Sequence, residues 1–582
     1  MTNNRPRTIY ELLVASAERA PESTAITFVD DLHGIKPPAR QTHSQLLSSI
    51  HRSVNMIRSL TGKSHPVVSL LLPNIPQAQT LLWAAETAGI ANPLNPLLSD
   101  EALFQLMAKA QTDIIFALSP SHGAELWEKA ARVAKRLPGR PACISVYGPT
   151  DEPGYDSEVL HYDDEPLRKT GAPTAEDIAA YYHTGGTTGT PKLACHTHAN
   201  QLAAAAAVID SMQLTGTDIA INGLPIFHVA GAIVNSLAIL GAGGELVLPT
   251  IAGFRNPEVI RYHWDLVERL GVTISSGIPT SMTAMLDAPT NGADISTLRF
   301  LLSGGAPVPL KLHELAHTKA GQELYQAYGM TECSGVIALP DLSGPAVWGS
   351  VGKIKPPVEA RIEDGEVCVR SPMVFQGYLG QKSPVSNDGW LRTGDLGHID
   401  TEGNLFITGR TKDLIIRSGH NIDPALIESC LEQHPSVGMA AAIGAPDEYA
   451  GELPVAYVQL RAGAEATCEE LRQYAAEHIA ERAACPKKVI ILQALPITAV
   501  GKIFKPKLRE NITELLLHEL LSERIEQIGV ESRHTEKGEL VVRLWNIPSG
   551  EEQWCGDQLR RLNLRLEELT LDERAHATLQ PG

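Results

Sequence analysis

The sequence predicts a multi-lobed α/β protein, and three observations predict it. Between about residues 65 and 370, short apolar runs (VVSLLLP, DIIFAL, AINGLPIF, ELVLP, FLLSGG) alternate with helical stretches such as QLAAAAAVIDSM and NPEVIRYHWDLVERLG, the pattern of mixed α/β lobes. Near residues 360 to 408 the texture changes to segments such as EARIEDGEVCVRS and WLRTGDLGHIDTEGNLFITG, whose D-G and E-G dipeptides mark tight turns between strands of a small β lobe. The length of 582 residues exceeds one ordinary core, so several lobes are expected.

After Gly409 the pattern becomes a compact α/β unit. It reads as DLIIR, a helix from Pro424 to His434, GMAAAIGAP, LPVAYVQL, a helix around Cys468 to Arg482, and KKVIILQALP. A second domain of roughly 100 residues is the natural size here. From about residue 511 the chain reads as a charged helix, a short VVRLW strand and another charged helix, without a catalytic motif.

Composition narrows the function classes. Hydrophobic residues make up 43% and charged residues 20%, enough to bury a sizeable interior without crosslinks. The net charge of −18 argues against nucleic acid or an anionic membrane as partner, since those are held by clustered Lys and Arg. The eight cysteines (143, 195, 333, 368, 430, 468, 485, 555) form neither a CxxC pair nor a metal-ligand spacing, which fits a reducing compartment. The first residues read as a polar segment and an amphipathic helix rather than a signal peptide. Gly231 to Leu248, the most apolar stretch, is broken by Asn235, Ser236 and glycines, so it reads as buried helix plus strand rather than a membrane span. A cytoplasmic location is expected.

The most unusual string is Tyr181-Tyr-His-Thr-Gly-Gly-Thr-Thr-Gly-Thr-Pro-Lys192, read as a loop between a strand and a helix. Glycines let backbone N–H groups converge on an anion, threonine hydroxyls add donors or a metal ligand, and Lys192 adds a fixed positive charge. The order is not that of the Walker A loop, which needs Gly-Lys followed by Ser or Thr. A dinucleotide fingerprint at Gly241-Ala-Gly-Gly-Glu-Leu lacks its third glycine and reads as a tight turn.

With this loop the chain resembles the adenylate-forming, or AMP-binding, superfamily of acyl-CoA synthetases, carrier-loading adenylation domains and luciferases. Gly185 stands where the family usually has a hydroxyl residue, and Leu193 where it usually has glycine. The resemblance implies that Thr184, Gly186, Thr187, Thr188, Gly189 and Lys192 bind ATP, and it continues collinearly to Lys502. Leu-Pro-Ile-Phe-His-Val-Ala-Gly (224 to 231) looks like the segment where His228 borders the acyl pocket, with Val229, Gly231, Ser276, Gly277 and Ser303 as further lining. Ser303-Gly304-Gly305-Ala306-Pro307 resembles the turn along adenine and the substrate carboxylate. In Tyr328-Gly329-Met330-Thr331-Glu332 the resemblance implies that Tyr328 stacks on adenine, Thr331 touches the α-phosphate, and Glu332 with Thr184 holds Mg²⁺, an ion that favours hard oxygen ligands.

Asp395, in Thr-Gly-Asp, matches the carboxylate that accepts the ribose hydroxyls, and Arg410 matches an arginine near ribose and phosphates, fifteen residues on across an expected hairpin. Lys412 falls at the family's hinge. Gly419, followed by His420, matches the glycine of a loop beside the pantetheine tunnel, where a side chain is expected to obstruct. Gly-His-Asn-Ile-Asp-Pro (419 to 424) is worded most like bacterial fatty acyl-CoA synthetases. Leu-Pro-Ile-Thr-Ala-Val-Gly-Lys (495 to 502) resembles the motif whose lysine enters the active site during adenylation.

The resemblance therefore implies an N-terminal domain of two α/β sheet lobes plus a small β lobe (1–411), a small mobile α+β domain starting at Lys412 (412–510), and an extension of unknown role (511–582). It implies an ATP- and Mg²⁺-dependent acid:CoA ligase with coenzyme A as co-substrate and a medium- or long-chain fatty acid as acid. An aryl acid, or a carrier-protein phosphopantetheine as acceptor, is the alternative. A homodimer is left open.

Overall fold

The computed structural model describes residues 6–166, 172–184, 192–498, 502–535 and 539–571. Two large sheets carry the N-terminal part. A seven-stranded sheet runs in the order Leu324–Ala327, Phe300–Gly304, Ile274–Gly277, Ile219–Ile221, Glu245–Pro249, Thr24–Val29, Ala39–Thr42, parallel except at its last edge. A six-stranded sheet runs Ala142–Val146, Ile114–Leu118, Val67–Leu71, Ile90–Pro93, Ile178–Thr184, Lys192–Thr197, again parallel until the last strand. Strands such as Val67–Leu71 and Ile114–Leu118 are buried along their whole length, which is why they appear as continuous apolar runs without alternation.

One hydrophobic cluster joins the two sheets: it contains Ile26 and Leu246 from the first, Val68 and Tyr182 from the second, and Trp83. Trp83 belongs to the helix Pro76–Ala88, which starts with Pro at its first turn and is buried at every residue from Ala78 onward. Its buried polar side chains find partners inside: Gln79 donates to Asn74 Oδ1 and Ser236 Oγ, and Glu86 Oε1 accepts from Gln201.

The small β lobe is a four-stranded antiparallel meander of Glu359–Glu363, Glu366–Arg370, Leu391–Ile399 and Leu405–Arg410. Beyond Arg410 the chain enters a separate five-stranded sheet, His420–Ile422, Ile415–Arg417, Gly451–Leu460 and Val437–Asp447, with Lys488–Leu492 parallel on Gly451–Leu460. This unit has its own core, including Ile427, Leu431, Val458 and Leu471, with helices Pro424–Glu432 and Cys468–His478. Among the described residues, no helix is long and apolar enough to cross a membrane.

Two expectations are corrected. The segment after the Thr/Gly-rich loop is not yet helix: Lys192–Thr197 is a strand, antiparallel to Ile178–Thr184, and the helix begins at His198 behind a Thr197 capping box. The loop thus closes a hairpin in which Thr184 and Lys192 are cross-strand partners. In the tail, the helix Lys505–Ser522 leads into a hairpin, Gly529–His534 and Leu540–Ile547, then a helix, Glu552–Arg561, and a third strand, Arg565–Leu571. That last strand is charged and mostly exposed, so its sequence carries no clear two-residue period. Parallel pairing and ion pairs of Glu567 with Arg533 and Arg543 hold it instead.

Candidate active site

The site assembles where strand ends of both large sheets, the β lobe and the last hairpin of the C-terminal unit converge. Asp395 and Arg410 are direct cross-strand partners in the β lobe. Arg410 Nε donates to Asp395 Oδ1 at 2.7 Å, and the Tyr328 hydroxyl donates to Asp395 Oδ2 at 2.5 Å. The Asp395 side chain is 4% exposed, so these two donors offset most of the cost of burying its charge. Burial and the adjacent Asp395 carboxylate raise the Tyr328 phenol well above its ordinary range, so it remains a donor.

Tyr328 ends the strand-to-turn passage after Leu324–Ala327 and pairs with Ala338 through two backbone bonds. The next residue has to be glycine, because a Cβ at Gly329 would stand 2.0 Å from the Gly335 carbonyl oxygen. Met330 and Thr331 follow on the same turn, and the Thr331 carbonyl is 2.8 Å from Nε2 of the buried His196. Glu332 is buried, and its Oε1 accepts from the Tyr378 hydroxyl at 2.5 Å. Lys192 Nζ lies 4.8 Å from the centroid of the Tyr378 ring. Thr184 stands across the hairpin from Lys192, whereas Gly186, Thr187, Thr188 and Gly189 lie outside the described residues.

The region expected to border the acid is built around an unusual helix. Ala230–Leu237 is a π-helix, a wide turn that favours functional positions, and its spare polar groups are tied down. Asn222 and Ser236 both donate to the Gly231 carbonyl, and Asn235 donates to the Ala230 carbonyl while accepting from Ser276 Oγ at 2.6 Å. Gly231 cannot carry a side chain, since a Cβ would lie 2.3 Å from the Pro225 carbonyl oxygen. Gly277 is similarly close to Ser281 Oγ, at 2.7 Å, and Gly304 to the Ala327 carbonyl oxygen, at 2.7 Å. Val229 is buried, as is Ser303, whose hydroxyl has no hydrogen-bond partner among the described residues. Ala306 follows Gly305 in the turn after strand Phe300–Gly304.

His228 faces this region as a neutral imidazole. Its Nδ1 accepts from the Ala230 N–H at 3.2 Å, which leaves the proton on Nε2. Burial pushes its pKa down to about 3, and the charges of Lys502 and His183 push the same way.

Lys502 comes from a different part of the chain and reaches the same place. Ile497 and Ile503 pair across a hairpin, and Lys502 N donates to Thr498 Oγ1 at 3.1 Å. A Cβ on Gly305 would stand 3.6 Å from Lys502 Cε. Burial lowers the lysine pKa to about 8, helped by Arg410 and opposed by Asp395 and Glu332.

Lys412, Gly419 and His420 are not part of this cluster. Lys412 is exposed, in the turn after Arg410. Gly419 forms the tip of the hairpin between Ile415–Arg417 and His420–Ile422. Its φ of +82° explains the glycine, whereas nothing lies within 4 Å of a Cβ placed there.

Two site residues escaped the sequence reading. His183 stacks on Phe227 (5.8 Å, 22°) and accepts the Asn95 N–H at Nε2, joining the base of the Thr/Gly-rich loop to the His228 segment. Tyr378 bridges Lys192 and Glu332. Its signal, a Gly-Tyr-Leu-Gly string after the β-lobe strand Glu366–Arg370, is local and weak, and only the fold brings it to the loop.

Residues 13–379 match the AMP-binding enzyme family, and residues 426–502 match the AMP-binding enzyme C-terminal domain. The chain belongs to the AMP-binding enzyme family. It is 33% identical over 540 residues to marinolic acid–CoA ligase of Pseudoalteromonas sp. (strain SANK 73390), covering 88% of this chain and 83% of that protein. It is 29% identical over 551 residues to the long-chain-fatty-acid–CoA ligase of Bacillus subtilis (strain 168), covering 87% and 95%. The crystal structure of ATP-bound MatB from Rhodopseudomonas palustris superimposes with a TM-score of 0.78 at 27% identity, over 88% of this chain and 100% of that one. The fold is that of the adenylate-forming CoA ligases: a multi-lobed α/β N-terminal domain and a small C-terminal domain.

Proposed function

We propose that this enzyme is an ATP-dependent acid:CoA ligase that activates a medium- or long-chain fatty acid as acyl-AMP and then transfers the acyl group to coenzyme A. The observation that carries the reading is the approach of Lys502, from the C-terminal unit, to Gly305 of the N-terminal domain, beside the Asp395–Arg410–Tyr328 network. In the first step a carboxylate oxygen bonds to the α-phosphorus of ATP, and the bond to pyrophosphate breaks. Little covalent help is needed, so catalysis rests on positioning and charge. Asp395 accepts the ribose hydroxyls, with Arg410 and Tyr328 fixing its carboxylate. Tyr328 lies along adenine against the Gly304–Gly305 backbone. Lys502 and Lys192 face the oxygens on which charge develops.

Glu332 and Thr184 supply hard oxygen donors beside Lys192, a donor set that suits Mg²⁺ held jointly with substrate phosphates. When bound, that ion neutralises charge on the phosphoryl oxygens. The chain's own part is to hold Glu332 Oε1 in place.

In the second step the CoA thiol attacks the acyl carbonyl and AMP leaves. The acyl group then needs a different neighbour. Rotation of residues 412–510 about Lys412 withdraws Lys502 and brings in the Gly419–His420 hairpin, which stands apart from the cluster in the present arrangement.

A fatty acid is favoured because no carboxylate occurs between Leu224 and Leu237 to meet an amine. The relative named as a long-chain-fatty-acid–CoA ligase points the same way. Coenzyme A is favoured over a carrier protein because both relatives described above are named as CoA ligases. Consumption of preformed acyl-AMP should depend on free CoA. Consumption only with a phosphopantetheine-bearing carrier would overturn that part.

A further inference from the structure

Tyr378 lies outside every motif that the sequence reading assigned to chemistry, yet it touches two of the groups given phosphate and metal roles. Its hydroxyl donates to Glu332 Oε1 at 2.5 Å, and its ring faces Lys192 Nζ at 4.8 Å. Backbone bonds hold it there from both sides. Gln376 N donates to the Cys195 carbonyl at 3.0 Å, Cys195 N to the Gly377 carbonyl at 3.0 Å, and Leu379 N to the Leu193 carbonyl at 2.8 Å. Residues 376–379 thus add a short edge to the strand that Lys192 opens, with Tyr378 opposite Ala194. Phe375 N donates to the Glu332 carbonyl at 2.9 Å, and the Phe375 and Tyr378 rings meet edge to face at 5.0 Å. One five-residue segment therefore clamps the loop lysine, the Glu332 backbone and the Glu332 carboxylate.

We infer that Tyr378 is a positioning residue that presents the Glu332 carboxylate to the metal–nucleotide complex and seats Lys192 beside it. The inference rests on the reading of Glu332 as a Mg²⁺ ligand. With Oε1 committed to the phenol, Oε2 is the oxygen presented to the ion, and the carboxylate is kept from rotating or pairing with the nearby cations. Lys192 over the ring gains a cation–π contact. A purely structural tyrosine would instead stabilise the fold equally with and without metal.

The test is equilibrium binding of ATP to the full chain, by calorimetry, with Mg²⁺ and with EDTA, for the parent, Tyr378→Phe and Glu332→Gln. The Phe variant keeps the ring under Lys192 and removes only the donor. A hydrogen bond to a charged group contributes enough to expect a loss of about tenfold or more in Mg²⁺-supported affinity, with affinity in EDTA unchanged. The ratio of the two affinities within one preparation cancels any loss of folded protein. A normal ratio in Tyr378→Phe with a reduced ratio in Glu332→Gln overturns the role of Tyr378 and leaves the metal site standing. A normal ratio in Glu332→Gln overturns the metal reading of Glu332, and the inference with it.

Discussion

Lys502 reaches Gly305 from the other domain: a methyl group on Gly305 would stand 3.6 Å from the lysine Cε. On the proposed reading, the lysine charge serves the forming acyl phosphate. Lys502→Ala is expected to slow acyl-AMP formation by about a hundred- to a thousand-fold, the usual cost of one electrostatic group. Conversion of supplied acyl-AMP to acyl-CoA should stay largely intact. Measuring the two half-reactions separately checks this, and equal loss of both would remove Lys502 from its assigned step.

The same lysine should set a pH limit. Burial lowers its pKa to about 8, so its charge is present below that pH and is lost as pH rises through it. The kcat/KM for pyrophosphate release, which reports the free enzyme, should therefore fall above pH 8. Lys502→Arg should move that limb upward, because the guanidinium keeps its charge. His228 titrates near 3 and contributes nothing to the profile between pH 5 and 9.

Asp395 offers a test of nucleotide binding. Asn at this position would weaken the bonds from Arg410 and Tyr328 and remove the charge meant for the ribose hydroxyls. Hydrogen bonds to charged groups contribute about 1.5–3 kcal/mol, so KM for ATP should rise at least tenfold while KM for the acid changes little. An unchanged KM for ATP would place the ribose elsewhere.

Much of this site could be read from the chain because its parts are short strings whose chemistry is local. The spacing between Asp395 and Arg410 already implied a hairpin, and the two are cross-strand partners. Other parts depend on packing. Tyr378 meets Lys192 only because residues 376–379 add an edge to the strand beginning at Lys192, a non-local pairing without a composition signal. His183 looks like one more residue of a strand until Phe227 is stacked on it. In the tail, Arg565–Leu571 is charged on both faces and reads as helix or loop until its partner strand is known. The sequence also gave no sign that Ala230–Leu237 widens to a π-helix, which follows from the Asn222, Asn235 and Ser236 bonds to its first turn.

On the proposed reading, Gly419 is expected to separate the two half-reactions from the other side. Its φ of +82° means that alanine should cost about 1 kcal/mol of stability, while the open space around it predicts no clash in the present arrangement. Gly419→Leu should therefore release pyrophosphate normally in the first turnover and fail in thioester formation. Acyl-CoA made at the parent rate would show that the hairpin does not border the acceptor channel.

The central claim is acid activation followed by transfer to CoA, and one measurement bears on it directly. Purified enzyme with ATP and Mg²⁺ is given a panel of fatty and aryl acids, with and without CoA, and pyrophosphate and acyl-CoA are quantified as kcat/KM. The account predicts acid-dependent pyrophosphate release, stoichiometric acyl-CoA when CoA is present, and the highest kcat/KM with a medium- or long-chain fatty acid. Absence of acid-dependent pyrophosphate release across the panel, or release without acyl-CoA, would contradict it.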